Sequence, residues 1–441
     1  MRLVAPALAL LLAALAVHPV HAQDSDLDAH FQTTYNWQYH PAYRAAYSGP
    51  NSLYAHAEKM YTFSATAFLG WRPWQDGELF LNPEVVQGVP FSNNLVGLGG
   101  FTNGEITRAA GAHLSVYRQR LFLRQTWNNG SGSQRIDSGL NQFAGYRDND
   151  RFVLTLGNFS TLDVFDQNSY AKDPRLQFMN WGNWTYAAYD YAADARGFGW
   201  GFAAEWYKAD WALRLGRMSG PKHPNELPVD LALAIHYGDQ IEIEHAHTLA
   251  GHPGKARLLW WRNRGKLARF DDATAWLQAH PGQYSGPDAL VAVRTSEQFK
   301  YGLGLNVEQE LGGDTGSFLR IMKADGRTET HAFTEVDSSF SVGIQSKGTR
   351  WGHAEDTLGL SLMRNTISAE RRRFLAAGGT SYFIGDGGLN YRPEDIFEGY
   401  YSLSLGKSLW LTADYQHIRN PAYNADRGPI HVYAIRFHAE R

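Results

Sequence analysis

Three arginines fall within one short run, Tyr117 to Thr126, where Leu121 and Leu123 take one face and Arg118, Arg120 and Arg124 take the other. In an extended strand successive side chains alternate sides, so this spacing gathers the guanidiniums. Facing hydrocarbon near a bilayer centre, each would cost about 2–4 kcal/mol, so the run must turn them towards water or towards carboxylates. In water they offer planar, multi-donor hydrogen bonding to oxygen-rich solutes. Against carboxylates such as Glu84 or Glu105 they would brace a wall, and both readings stay open. A second constellation is the stretch Asn158 to Trp181. It sets Asp163, Asp166, Asn168, Asp173, Arg175, Gln177 and Asn180 among Phe159, Phe165, Phe178 and Trp181. That mixture suits a loop folded inward, with aromatics gripping a wall and polar groups meeting a solute. An ordinary surface loop is the alternative. Its carboxylates and amides could also hold a hard divalent cation weakly.

Catalytic signatures are missing. There is no G-x-S-x-G elbow, H-E-x-x-H, P-loop or dinucleotide-binding G-x-G-x-x-G, so the chain reads as no enzyme and needs no cofactor. His245-Ala246-His247 puts two imidazoles on one strand face without further spaced ligands, which favours surface histidines over a metal site. Lys and Arg number 41 against 44 Asp and Glu, a net charge of −3 that argues against nucleic acid as a partner. With no cysteine among 441 residues, neither disulfides nor thiolate metal sites contribute.

The elements that must position these residues are strands. Phe63, Ala65, Ala67, Leu69 and Trp71 alternate with Thr62, Ser64 and Thr66, and Tyr301, Leu303 and Leu305 with Gly302, Gly304 and Asn306. Tyr401, Leu403 and Leu405 alternate with Tyr400, Ser402 and Ser404. Leu409, Leu411, Ala413 and Tyr415 face away from Trp410, Thr412, Asp414 and Gln416, and Tyr433, Ile435 and Phe437 away from Val432, Ala434 and Arg436. Soluble sandwiches and membrane barrels share this alternation. Runs of about 9–11 residues, aromatics at strand ends, and short turns alternating with long polar stretches (Asn128 to Asp150, Gly265 to Glu297) favour the barrel. A mean hydropathy of −0.40 excludes a bundle of transmembrane helices. Met1 to Ala22 reads as a secretory signal, with Arg2, an apolar core and Val20-His21-Ala22 before the cut, leaving residues 23–441 as one barrel domain. Phe270 to His280 reads as a short helix capped by Asp271, and Arg371-Arg372-Arg373 as a solvated loop face.

The strings LTADYQHIRNPAYN (Leu411–Asn424), FLGWRPWQDGELFLNPE (Phe68–Glu84), GFTNGE (Gly100–Glu105) and RLFLRQTW (Arg120–Trp127), with DVFD and DPRLQF inside Asp163–Trp181, resemble the carbohydrate-selective porins of the OprB type. The resemblance implies a 16-stranded antiparallel barrel of the Gram-negative outer membrane, with short periplasmic turns and long extracellular loops. It would be a passive diffusion channel for sugars and other small solutes. Carried over, Arg118, Arg120 and Arg124 match the arginine-rich strand and Glu84 and Glu105 the acidic motifs. Asp163, Asp166, Asp173 and Arg175 would join the constriction, as would Trp410 and Asp414 from the polar face of their strand. Some relatives with these motifs resemble manganese porins, so a manganese-selective channel using Asp163, Asp166 and Asp173 is the first alternative. A secreted β-rich polysaccharide-binding protein or lyase is the second. The implied partners are sugars or other small solutes, outer-membrane lipid and manganese ion, in a monomer or a trimer. One departure from the family pattern is the end of the chain, Arg441 in place of a terminal aromatic.

Overall fold

A computed structural model describes residues 25–108, 111–282 and 288–441. The signal segment Met1 to Ala22 lies outside the described residues. The first strands are β1 (Leu27–His40), β2 (Glu58–Trp74), β3 (Gly77–Val89) and β4 (Gly111–Asn128). A small hairpin, β5 (Gln134–Ile136) and β6 (Gly145–Arg147), precedes β7 (Arg151–Phe159), β8 (Gly199–Lys208), β9 (Trp211–Ser219) and β10 (Tyr237–Leu249). Then come β11 (His252–Lys266), β12 (Glu297–Gly312), β13 (Thr315–Ala324) and β14 (Ser338–Gly348). The last four are β15 (His353–Thr366), β16 (Glu394–Ser404), β17 (Leu409–Arg419) and β18 (Ile430–Glu440).

Sixteen of these, β1–β4 and β7–β18, form one closed antiparallel barrel in chain order. Closure comes from β1 pairing with β18, Tyr35 opposite Phe437 and Trp37 opposite Ile435. Phe31 and Arg441 exchange both backbone hydrogen bonds (2.8 and 2.9 Å), so the chain end is part of the seam. A closed sheet has no unpaired edge, which hydrocarbon requires of any spanning structure. The apolar side of each alternating run faces out. Leu69, Trp71, Leu303, Leu305, Ile435 and Phe437 are exposed, while their neighbours Thr66, Asn306 and Arg436 are buried inside. An apolar exterior this extensive fits lipid and not water.

The short turns, among them Gln75-Asp76, Ala209-Asp210 and Ala250-Gly251, gather at one end of the barrel and the long connections at the other. Residues 129–150 break the rule. Read from sequence as one of the long extracellular connections, this stretch joins β4 to β7 and so lies at the short-turn end. There it folds back into the barrel mouth. Asn141 accepts from the Asn82 amide (2.9 Å), Phe143 packs 5.7 Å from Phe80, and the Ser138 hydroxyl bonds Asp28 (3.0 Å) and His30 (2.7 Å). Gly70 makes room for it, since a Cβ there would meet the Phe143 ring at 2.9 Å.

Two smaller expectations change. The helix Phe270–Ala279 forms, but its cap is Arg269, and Asp271 sits in the first turn where it pairs with Arg373 at 2.7 Å. The Arg371–Arg373 run is on the helix Ala369–Ala376 and does not share a solvated face. Consecutive helical residues point about 100° apart. Arg371 is fully buried against Glu335 and Asp337, Arg372 is half-buried with its guanidinium 3.6 Å over the Tyr391 ring, and Arg373 is exposed.

The arginine strand also departs from simple alternation. On β3, Asn82 stands opposite Arg120 and Pro83 opposite Arg118, so Gln119 is an extra residue, a β-bulge. Pro83 has no N–H to give the ladder, which favours the irregularity at this point. The bulge reverses the parity. Gln119, Arg120, Phe122 and Arg124 face inward, whereas Arg118 is exposed on the outer face, 5.1 Å over the Trp200 ring. Because the chain has no cysteine, a spin label at Arg118→Cys should be relaxed by oxygen in the lipid phase. A label at Arg124→Cys should be relaxed by an aqueous nickel complex. Equal aqueous access at both positions would overturn the bulge.

Candidate functional site: a lumen cavity beside an inward loop

The connection between β7 and β8, residues 160–198, turns into the barrel as soon as it leaves the wall. Ser160 caps the short turn Thr161–Asp163, and the Asp163 carboxylate accepts the Ser160 N–H at 2.9 Å. The same carboxylate receives two bonds from the Arg120 guanidinium, both 2.7 Å, so loop and β4 are clamped in a bidentate pair. Burial alone would raise the Asp163 carboxyl, but the Arg120 charge together with the hydrogen bonds from Arg120 and Ser160 outweighs it and holds the group below the usual carboxylate range.

Beyond this clamp the loop crosses the lumen, and wall carboxylates take up its backbone N–H groups. Glu242 accepts from Asp166 (2.9 Å), Glu308 from Ser169 (2.8 Å), and Glu398 from Met179 (2.6 Å) and Asn180 (3.0 Å). Arg436 of β18 donates to the carbonyls of Pro174 (2.8 Å) and Gln177 (2.9 Å). The aromatics act as anchors: Phe159, Phe165, Phe178 and Trp181 are all buried, Phe178 between Phe318 and Tyr400 at 5.5 and 5.0 Å. Gly216 admits Phe165, whose ring would lie 2.9 Å from a Cβ there. An inward-folded loop, not a free surface loop, is what forms.

Between this loop and the inner faces of β4, β7, β8 and β9 remains a cavity of about 630 Å³. Of the residues singled out by sequence, Arg120, Arg124, Asp163, Asp173 and Arg175 line it. The arginine strand therefore both faces the cavity and braces the wall: Arg120 holds Asp163, and Arg124 reaches Glu78 (3.3 Å) and the Asn141 carbonyl (3.0 Å). Glu84 takes the Tyr117 hydroxyl and the Gln119 amide (2.9 Å) of that strand, but neither it nor Glu105 is ion-paired to Arg120 or Arg124. Both glutamates sit behind the cavity and grip the loop guanidinium of Arg175 at 2.8 and 2.6 Å. Burial pulls Arg175 down, yet the charges of Glu105 and Glu84 raise it above its ordinary value.

The remaining sequence candidates lie elsewhere. Arg118 is outside the barrel, for the reason given by the bulge. Asp166 is fully buried between loop and wall, held by Arg320 (2.8 Å), Asn306 (2.6 Å) and Thr185 (2.9 Å). Asp414 is buried on the inner wall against Gln416 (3.2 Å), and Trp410 lies nearer the short-turn end with its ring 5.6 Å from His438. With Asp163 on Arg120 and Asp166 on Arg320, the three loop aspartates do not converge. Among the described residues no three His, Cys, Asp or Glu side chains gather to hold a metal ion.

Five lining cations were not singled out by sequence: Arg147, Arg151, Lys172, Arg196 and Arg214. Arg151 and Arg214 were within reach, since each alternates with the outward residues Phe152 and Leu215 of its own strand. Arg214 is tied to Glu242 (2.8 Å), Glu244 (3.2 Å) and Glu205 (3.3 Å). Arg147 and Arg196 come from segments without periodicity, so only the fold brings them here. Aromatic faces complete the lining, among them Phe122, Tyr207, Trp181 and Tyr191.

The sequence profile of the carbohydrate-selective porin, OprB family, matches residues 67–440. No curated protein matches the chain. Among solved structures it is similar to the high-pH structure of Pseudomonas putida OprB, with 14% identity, a TM-score of 0.65 and 94% of each chain covered. It is also similar to the outer-membrane channel DcaP of Acinetobacter baumannii, with 8% identity, a TM-score of 0.52, and 95% of this chain and 98% of that one covered. At these identities the likeness shows the barrel fold. The profile covers far more than half of the chain, and the chain belongs to the carbohydrate-selective porin, OprB family.

Proposed function

We propose that this porin is a passive outer-membrane channel for carbohydrates and other small hydrophilic solutes, without enzymatic activity. The observation that carries the reading is the 630 Å³ cavity beside the inward loop, where fixed guanidiniums and aromatic faces share one lining. Guanidiniums hydrogen-bond hydroxyl-rich solutes in several directions at once. Aromatic faces give the C–H side of a sugar ring an apolar surface to slide across. Arg120 and Arg175 are held in ion pairs to Asp163, Glu84 and Glu105, so their donors meet a solute already oriented. Weak oriented contacts in a hydrated passage let a solute enter and leave, which diffusion requires. The manganese alternative finds little support, because the loop aspartates are engaged and cations dominate the lining. The apolar barrel exterior argues against a secreted soluble protein.

In planar bilayers the purified protein should form channels whose ion current glucose or maltose reduces in a saturable way. Cation-selective current unaffected by sugars, and abolished by Asp163→Asn with Asp173→Asn, would favour manganese instead. Arg124→Ala should weaken sugar block several-fold while the barrel still assembles, as judged by heat-modifiable gel migration; unchanged block would reduce Arg124 to wall bracing. The pH response follows from Asp163. Its carboxyl is depressed by Arg120, so the stabilisation it supplies is complete above the ordinary carboxylate range and is lost only as pH falls through the lowered value. The Arg120–Asp163 pair should therefore contribute no conductance transition from about pH 7 to about pH 5. A transition centred inside that window and removed by Asp163→Asn would contradict the role given to this pair.

A further inference from the structure

Among the described residues, eight cationic side chains line the cavity against three carboxylates, Asp163, Asp173 and Glu205. The balance is not restored from behind for all of them. Arg120, Arg124, Arg175 and Arg214 have carboxylate partners. Arg147, Arg151, Lys172 and Arg196 have none among the described residues. Arg151 lies over the Tyr207 ring at 3.7 Å and donates to the Asp148 carbonyl, while its Nε is buried without an acceptor. Arg196 rests on the Tyr117 ring at 4.3 Å. The Lys172 ammonium reaches only the carbonyls of Asp166 and Phe165, at 3.2 and 3.4 Å. These four come from three separate segments: the tucked short-turn hairpin, β7 and the inward loop.

Resting on the channel reading above, we infer that the solute this cavity selects is a small carbohydrate bearing a negative charge, a sugar acid or a sugar phosphate, rather than a neutral sugar. A half-buried guanidinium or ammonium without a counter-charge is held at a cost, and an anion entering the cavity supplies what the wall withholds. Two further observations agree. Burial, and next the neighbouring Arg124, push the Arg147 guanidinium below its usual value. Burial brings the Lys172 ammonium down to about 8. At Arg147 a neighbouring cation adds to the burial, and at Lys172 the more distant charges of Asp166, Asp163 and Glu242 offset only part of it. Aromatic side chains share the lining, Phe122 and Trp181 among them, and give the ring of such a solute an apolar surface while the cations take its charged group.

The test is zero-current potential and current block in planar bilayers with the full-length protein. Under a potassium chloride gradient the channel should prefer chloride over potassium. Galacturonate should block at concentrations about tenfold below galactose, the gain of one charge-assisted over one neutral hydrogen bond. Glucose 6-phosphate and inorganic phosphate form parallel arms. Block by galacturonate and by the sugar phosphate identifies charge on a sugar frame, and block by inorganic phosphate alone, with no sugar anion preferred, overturns the carbohydrate part. Arg147→Gln with Arg196→Gln should bring the galacturonate-to-galactose ratio, both measured in that variant, to about one, and a ratio still near ten overturns the assignment to these cations. Equal block by galactose and galacturonate in the wild-type channel overturns this inference and leaves the sugar channel standing. A protein that forms no sugar-blocked channel overturns both.

Discussion

The structure depends on buried glutamates of the wall accepting backbone N–H groups of the loop. Residues 160–198 run through the lumen without a strand partner over most of their length, so their amides need acceptors from elsewhere. Glu242, Glu308 and Glu398 supply them from three different strands. Glu394 does the same for Gly99, Gly100 and Ala422 of other long connections. Each carboxylate is itself buried and would be costly without donors, while an N–H left unsatisfied costs roughly 1–3 kcal/mol. Loop and wall thus satisfy each other. The pairing sets where the loop lies, and that position decides which part of the lumen stays open.

The open part is eccentric. Aromatic residues of the loop, Tyr186, Tyr189 and Trp181 among them, are buried and fill the side of the barrel nearest β10–β16. What remains faces β4 and β7–β9, the wall that carries Arg120, Arg124, Arg151 and Arg214. From the short-turn end the tucked hairpin adds Arg147, so the lining is cationic on several sides. A loop placed differently would leave the same barrel with a different lining, and the chemistry of the passage belongs to this loop as much as to the sheet.

Much of this was legible in the residues. Period-two alternation identifies the strands and their outward faces, and the aromatic content of Asn158–Trp181 implies an inward fold. Alternation fails where the ladder is irregular: one extra residue at Gln119 turns Arg118 outward although its spacing from Arg120 matches that of a shared face. Spacing is also blind to partners distant in sequence. Glu84 and Glu105 were matched to arginines on the neighbouring strand, but their partner Arg175 lies on the loop, brought to them by the fold. The segment 129–150 misleads for a third reason, since length alone does not say at which end of a barrel a connection sits. Lining residues from aperiodic segments, Arg147 and Arg196, carry no local signal at all.

If the wall glutamates hold the loop in place, removing them should free it without dismantling the barrel. The most direct measurement is single-channel conductance of Glu308→Ala combined with Glu398→Ala, in protein that still shows the heat-modifiable barrel band. A conductance several-fold larger, with added current noise from a mobile loop, is the expected result. Conductance equal to that of the unaltered channel would contradict a loop positioned by these carboxylates.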